Sequence, residues 1–126
     1  MNDKAETYEQ IDFVAMVKSF YPDVVIHSIP NGNKRMPTHG AVLKKEGLLA
    51  GVPDLFIAEA RGGYHGLYIE MKRRLGGKTS VRQELLLERL RSRGYKAEVC
   101  NGAKKAWVVF ESYILQEVTS ACVDGD

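Results

Sequence analysis

The chain has 126 residues, 44% of them hydrophobic and 27% charged, with a net charge of +2. That suits a single domain over residues 1–126, with a core at about residues 5–116, since roughly two-thirds of the unfolded surface is buried at this size. No apolar run approaches a membrane span, and the near-balanced charge excludes binding to polyanions through bulk charge alone.

Two further absences bear on location. The N-terminal stretch carries Asp3, Glu6 and Glu9 and has no apolar run after a basic start, so it does not read as a secretory signal. Cys100 and Cys122 have no zinc-type spacing. The expectation is a cytoplasmic protein with free thiols.

In chain order, residues Ala5 to Tyr21 are predicted to form a helix that stops before Pro22, with Phe13, Val14, Val17, Phe20 and Tyr21 on one apolar face. Val24 to Ile29 reads as a short strand, and Pro30-Asn31-Gly32-Asn33 as a turn. A short helix over Thr38 to Glu46 ends at Gly47. Asp54 to Ala60 and Gly66 to Arg73 read as strands joined through Arg61-Gly62-Gly63-Tyr64-His65, which predicts an antiparallel hairpin. Gly76-Gly77-Lys78-Thr79 is a basic loop, and Thr79 or Ser80 caps the helix that runs to about Arg93. Ala97 to Cys100 is a strand, and a last helix opens at Asn101 or Gly102 with Ala106, Val109, Phe110, Tyr113 and Ile114 as its stripe. The tail after Ser120 is expected to fray. The order α-β-(α)-β-β-α-β-α predicts an α/β fold, a mixed sheet flanked by helices.

Chemistry concentrates in Gly66 to Arg73. Side chains alternate along a strand, so Leu67, Ile69 and Met71 face one way and Tyr68, Glu70 and Lys72 the other. A turn centred near Gly63 would set Asp54 across from Lys72 and Phe56 across from Glu70. The Asp54 and Glu70 carboxylates then converge beside a lysine. Two such carboxylates repel each other, and a hard divalent cation, Mg²⁺ or Mn²⁺, removes that cost. An ion there activates water and holds a phosphate oxygen, while a lysine stabilises the transition state of phosphodiester hydrolysis. Glu-x-Lys alone is commonly a surface ion pair worth under about 1 kcal/mol. Pro53 immediately before the strand adds weight, because it fixes the chain where Asp54 enters the sheet.

Polar residues on apolar helical faces point to the same place. Gln83 shares a face with Leu86, Leu87 and Leu90, and a polar group there needs a partner. Glu6 and Gln10 share the face of Phe13 and Val17, with Glu9 on its flank. Basic residues cluster at Lys34, Arg35, Lys44 and Lys45 and again at Lys72, Arg73, Arg74, Lys78 and Arg82, a band able to neutralise phosphates. His27, His39 and His65 have no metal-ligand spacing, and Trp107 reads as core or dimer surface.

Gly51-Val52-Pro53-Asp54, Tyr68-Ile69-Glu70-Met71-Lys72-Arg73 and Ser80-Val81-Arg82-Gln83 together resemble the VRR-NUC (virus-type replication-repair nuclease) domain, a branch of the PD-(D/E)XK superfamily. The likeness runs from about Glu6 to Ile114 and includes Pro30-Asn31-Gly32 and Gly94-Tyr95 with Cys100. Short single-domain members look like those of phages and prophages. The resemblance implies that Asp54, Glu70 and the backbone carbonyl of Met71 bind Mg²⁺ or Mn²⁺. It implies that Lys72 is catalytic, that Gln83 supports the site, and that Glu6 is the first-helix glutamate, with Glu9 competing for that role. Lys34, Arg35, Arg73, Arg74, Lys78 and Ser80 are the expected nucleic-acid contacts. Stand-alone members resemble Holliday-junction resolvases, so the expectation is a homodimeric endonuclease acting on branched DNA. The alternatives are a general or restriction-like nuclease of the superfamily, and a non-catalytic nucleic-acid-binding module.

Overall fold

A computed structural model describes residues 2–30 and 40–120. The predicted turn at Asn31-Gly32-Asn33, the predicted start of the short helix at Thr38 and the tail after Ser120, with Cys122, lie outside the described residues. The elements are α1 (Asn2–Phe20), β1 (Ile26–Ser28), α2 (Gly40–Lys45), β2 (Leu55–Ile57), β3 (Leu67–Lys72), α3 (Val81–Ser92), β4 (Lys96–Asn101) and α4 (Ala103–Ile114). The predicted order holds. The strands form one four-stranded sheet in the order β1-β2-β3-β4. β1, β2 and β3 pair antiparallel, and β4 joins β3 in parallel through the α3 crossover.

The period-2 pattern of the strands builds the core. Leu55, Ile57, Leu67, Ile69, Met71 and Cys100 are buried on one sheet face. Phe13 and Val17 of α1 and Ala106, Phe110, Tyr113 and Ile114 of α4 close over them. Both helices carry their apolar residues at i, i+3 or i+4, which is the stripe such packing needs. Phe20 departs from the expected buried face: it is 69% exposed. It is the last residue of α1, past the core, and its ring rests on Trp107 at 5.7 Å. Trp107 is half-buried between Phe20, Tyr21 and Phe110.

The hairpin register differs from the expected one. Leu55 pairs with Ile69, Phe56 with Tyr68 and Ile57 with Leu67. Phe56 therefore faces Tyr68 and not Glu70, and Asp54 falls beside Glu70 and Met71 rather than across from Lys72. The shift is two residues, an even number, so every side chain keeps its face. Its cause lies in the connection. β2 ends at Ile57, three residues before the predicted end, and the chain then turns away from the ladder. There Tyr113 donates its hydroxyl to the Glu59 carbonyl at 2.6 Å, and the amides of Gly62 and Thr119 donate to the carbonyls of Glu117 and Ala60. The loop thus packs against the segment after α4, and its length no longer sets the register.

α3 lies on the opposite face. Ser80 is its N-cap, with the full capping box: the Ser80 hydroxyl accepts from the Gln83 amide, and the Gln83 side chain accepts from the Ser80 amide. α4 has no side-chain cap of its own at Gly102, whose φ of 100° is open to glycine. Glu9 of α1 supplies one instead, accepting from the Ala103 amide at 2.7 Å.

Candidate active site

β3 presents Glu70 and Lys72 on the α3 face, and both are buried, at 2% and 7% exposure. Lys72 Nζ lies 3.3 Å from Glu70 Oε2. Gln83 reaches down from α3 and joins them: its Nε2 donates to Glu70 Oε2 at 2.8 Å, and its Oε1 accepts from Lys72 Nζ at 3.1 Å. The same Oε1 accepts from the Ser80 amide, so the cap that starts α3 also fixes the amide between acid and base. The polar residue on the apolar stripe has the partners its position required.

Asp54 enters from the start of β2. Its Oδ2 accepts from the Met71 amide at 2.8 Å. Two pairs beyond Leu55–Ile69, the register sets Pro53 opposite Met71. In an antiparallel ladder those two residues exchange N–H···O bonds, but proline has no N–H to give. The Met71 amide takes the Asp54 carboxylate instead, and the Met71 carbonyl, on the same edge of β3, is left without that ladder donor. The Pro-Asp pair thereby brings a carboxylate and a backbone oxygen to one corner of the sheet.

Electrostatics mark the spot. Burial, and then the Asp54 charge, push the Glu70 carboxyl up to about 8, against the opposing pull of Lys72; Glu6 adds a further upward push. Glu70 Oε1 is buried and has no hydrogen-bond partner among the described residues. A carboxylate oxygen held dry and unpaired beside a second carboxylate fits a hard cation, which would satisfy the oxygen and remove the repulsion. Among the described residues no three His, Cys, Asp or Glu side chains form a metal-binding group, so the fit rests on two carboxylates and a carbonyl.

Glu6 and Glu9 separate here. Glu9 is committed to the α4 cap, whereas Glu6 is the one whose charge is felt at Glu70. Arg73, Arg74 and Lys78 lie on the loop after β3, beside the site. Ser80 is an exposed helix cap, and Lys34, Arg35 and His39 fall outside the described residues. His27 and His65 are exposed, and His65 rests its ring on Tyr95 at 5.6 Å.

With this geometry in place, comparison with known proteins decides the family. The VRR-NUC domain model matches residues 33–104, more than half of the chain. The chain belongs to the VRR-NUC family. A solved structure described as a "VRR_NUC domain protein" is 32% identical, with a TM-score of 0.74 over 86% of this chain and 87% of that one. No curated protein matches the chain. Membership makes this a nuclease domain with a nucleic-acid substrate, on a mixed sheet consistent with a PD-(D/E)XK-like core. Asp54, Glu70, Lys72 and Gln83 all fall inside the matched VRR-NUC span, and Glu6 falls outside it.

One residue at this VRR-NUC site carries no signal in the sequence. Asn101, at the end of β4, donates to the carbonyls of Arg73 and Gly77 at 3.1 and 3.2 Å and so clamps the basic loop beside Lys72. Gly77 allows the close approach, since a Cβ there would come within 2.8 Å of the Lys72 Cβ. Only a register that sets Asn101 opposite Lys72 gives it this role, and spacing along the chain does not reveal that register.

Proposed function

We propose that this VRR-NUC domain is a metal-dependent endonuclease that hydrolyses phosphodiester bonds in branched DNA, as a homodimer in the cytoplasm. The buried, unpartnered Glu70 Oε1 beside Asp54 carries the metal reading. Asp54, Glu70 and the Met71 carbonyl would hold Mg²⁺ or Mn²⁺. An ion in that set supplies Lewis acidity at the scissile phosphate.

The chain's own groups do the rest. The Lys72 ammonium has three N–H donors. Gln83 Oε1 and Glu70 Oε2 engage two of them, which would leave the third for the attacking water or the charge growing on the phosphate. Gln83 holds Lys72 and Glu70 at a fixed separation, so neither must reorganise during the reaction. Arg73, Arg74 and Lys78, on the loop clamped by Asn101, would contact flanking phosphates. The likeness of stand-alone members to junction resolvases supports the branched substrate and the dimer.

The test is cleavage of junction, flap, single-stranded and linear DNA side by side, with Mg²⁺, Mn²⁺ or EDTA. The reading predicts metal-dependent cutting of the junction, lost in Asp54→Ala and Glu70→Ala. Equal cutting by those variants, or cutting in EDTA, contradicts it.

A further inference from the structure

A second feature shares the sheet face of the site. His27, Phe56 and Tyr68 stand opposite one another on β1, β2 and β3, as one rung across three strands. Their rings touch in sequence: His27 to Phe56 at 5.9 Å, and Phe56 to Tyr68 at 4.5 Å. Tyr95, just before β4, closes the row against Phe56 at 6.1 Å and Tyr68 at 5.3 Å. The core is on the other face, and the described helices pack mainly on β3 and β4. Consequently His27 is exposed, and Phe56, Tyr68 and Tyr95 are half-buried.

We propose that this aromatic rung is a stacking platform for an unpaired base of the DNA next to the scissile phosphate, an inference that rests on the nuclease reading above. Two observations carry it. The first is continuity. Tyr68 is two residues from Glu70 on the same face of β3, a separation of about 7 Å. Nucleic acid engaging Glu70 and Lys72 must lie on this face, and a nucleotide adjoining the cut falls over the rung. The second is rigidity. Phe56 lies against Gly66, where a Cβ would come within 2.6 Å of the ring, so glycine lets the ring settle onto the backbone. A fixed aromatic row with a wet edge suits a base face, and such stacking tolerates any base. The platform would favour substrates whose bases are already unstacked at the cut, as at a branch point.

The experiment uses the full chain in EDTA, with 2-aminopurine moved one nucleotide at a time through the unpaired stretch of a synthetic DNA. Wild type should quench the fluorescence at one position. Tyr68→Leu and Phe56→Leu should abolish that quench and weaken binding to unpaired DNA about tenfold, with blunt duplex binding changed less than twofold. Tyr68→Phe, which keeps the ring, should behave as wild type. No quench at any position, or equal weakening on duplex and unpaired DNA, overturns the inference. So does a dimer that dissociates in Phe56→Leu, which would mean that a second copy covers this face. Wild-type cleavage of the same DNA with Mn²⁺ separates the two claims: cutting without quenching removes the platform and keeps the nuclease, and absence of both binding and cutting removes both. Where the leucine variants do not fold, the wild-type scan decides.

Discussion

At the scale of single residues the site is a problem of charge. Lys72 is the only cation in salt-bridge contact with Glu70 among the described residues, and both are buried. In the proposed function, replacing it would remove the donor offered to the reacting phosphate. Lys72→Met should therefore lower single-turnover cleavage by at least about a hundredfold, with DNA affinity little changed. Glu70 gives a second, independent readout. Its carboxyl is raised from 4.5 to about 8 in the fold. Between those values the unfolded chain has released the proton and the folded chain still holds it. The unfolded state then binds fewer protons, so stability falls as pH rises through this window and levels off above it. Thermal melting in EDTA from about pH 5 to pH 8.5 should show that decline in wild type. Glu70→Gln should flatten it. A wild-type melting temperature that rises across the window, with no difference from Glu70→Gln, would contradict the burial of a carboxyl that Lys72 offsets only in part.

At the scale of elements, α3 ties fold to chemistry, because one side chain both closes its capping box and bridges acid to base. Ser80→Ala should cost about 1 kcal/mol of stability in denaturant unfolding. Gln83→Leu should lower cleavage by roughly 10- to 100-fold, through Lys72 and Glu70 losing their common partner. The Gln83 role is legible in the sequence, since an amide on a leucine stripe demands a polar partner. The hairpin register is not. Period-2 alternation fixes the faces of Leu55, Phe56, Leu67 and Tyr68, yet it is blind to a two-residue slip. The slip is set by Glu59 to Tyr64 pairing with α4 and the residues after it, a contact more than fifty positions away. Glu9 is unreadable for the same reason: it caps α4 across a separation of 94 residues.

At the scale of the whole molecule, a sheet with helices on both faces leaves one corner where Pro53-Asp54, Glu70 and Gln83 meet. Composition and periodicity predict this arrangement well, because every core stripe on α1, β2, β3 and α4 repeats at the period of its element. Phe20 is the exception, an apolar residue at helical spacing that runs past the end of the core. The same core makes a plain stability prediction: Phe110→Ala, at the meeting of α1, α4 and Tyr21, should cost about 3–5 kcal/mol. The claim on which the proposed function turns is that the corner grips a divalent ion. Calorimetric titration of metal-free protein with Mn²⁺ measures it without any DNA. Wild type should bind saturably, and binding should be lost in Asp54→Asn and Glu70→Gln and retained in Lys72→Met. Wild type that takes up no Mn²⁺ at millimolar concentration, or an Asp54→Asn/Glu70→Gln double variant that binds as wild type does, would contradict it.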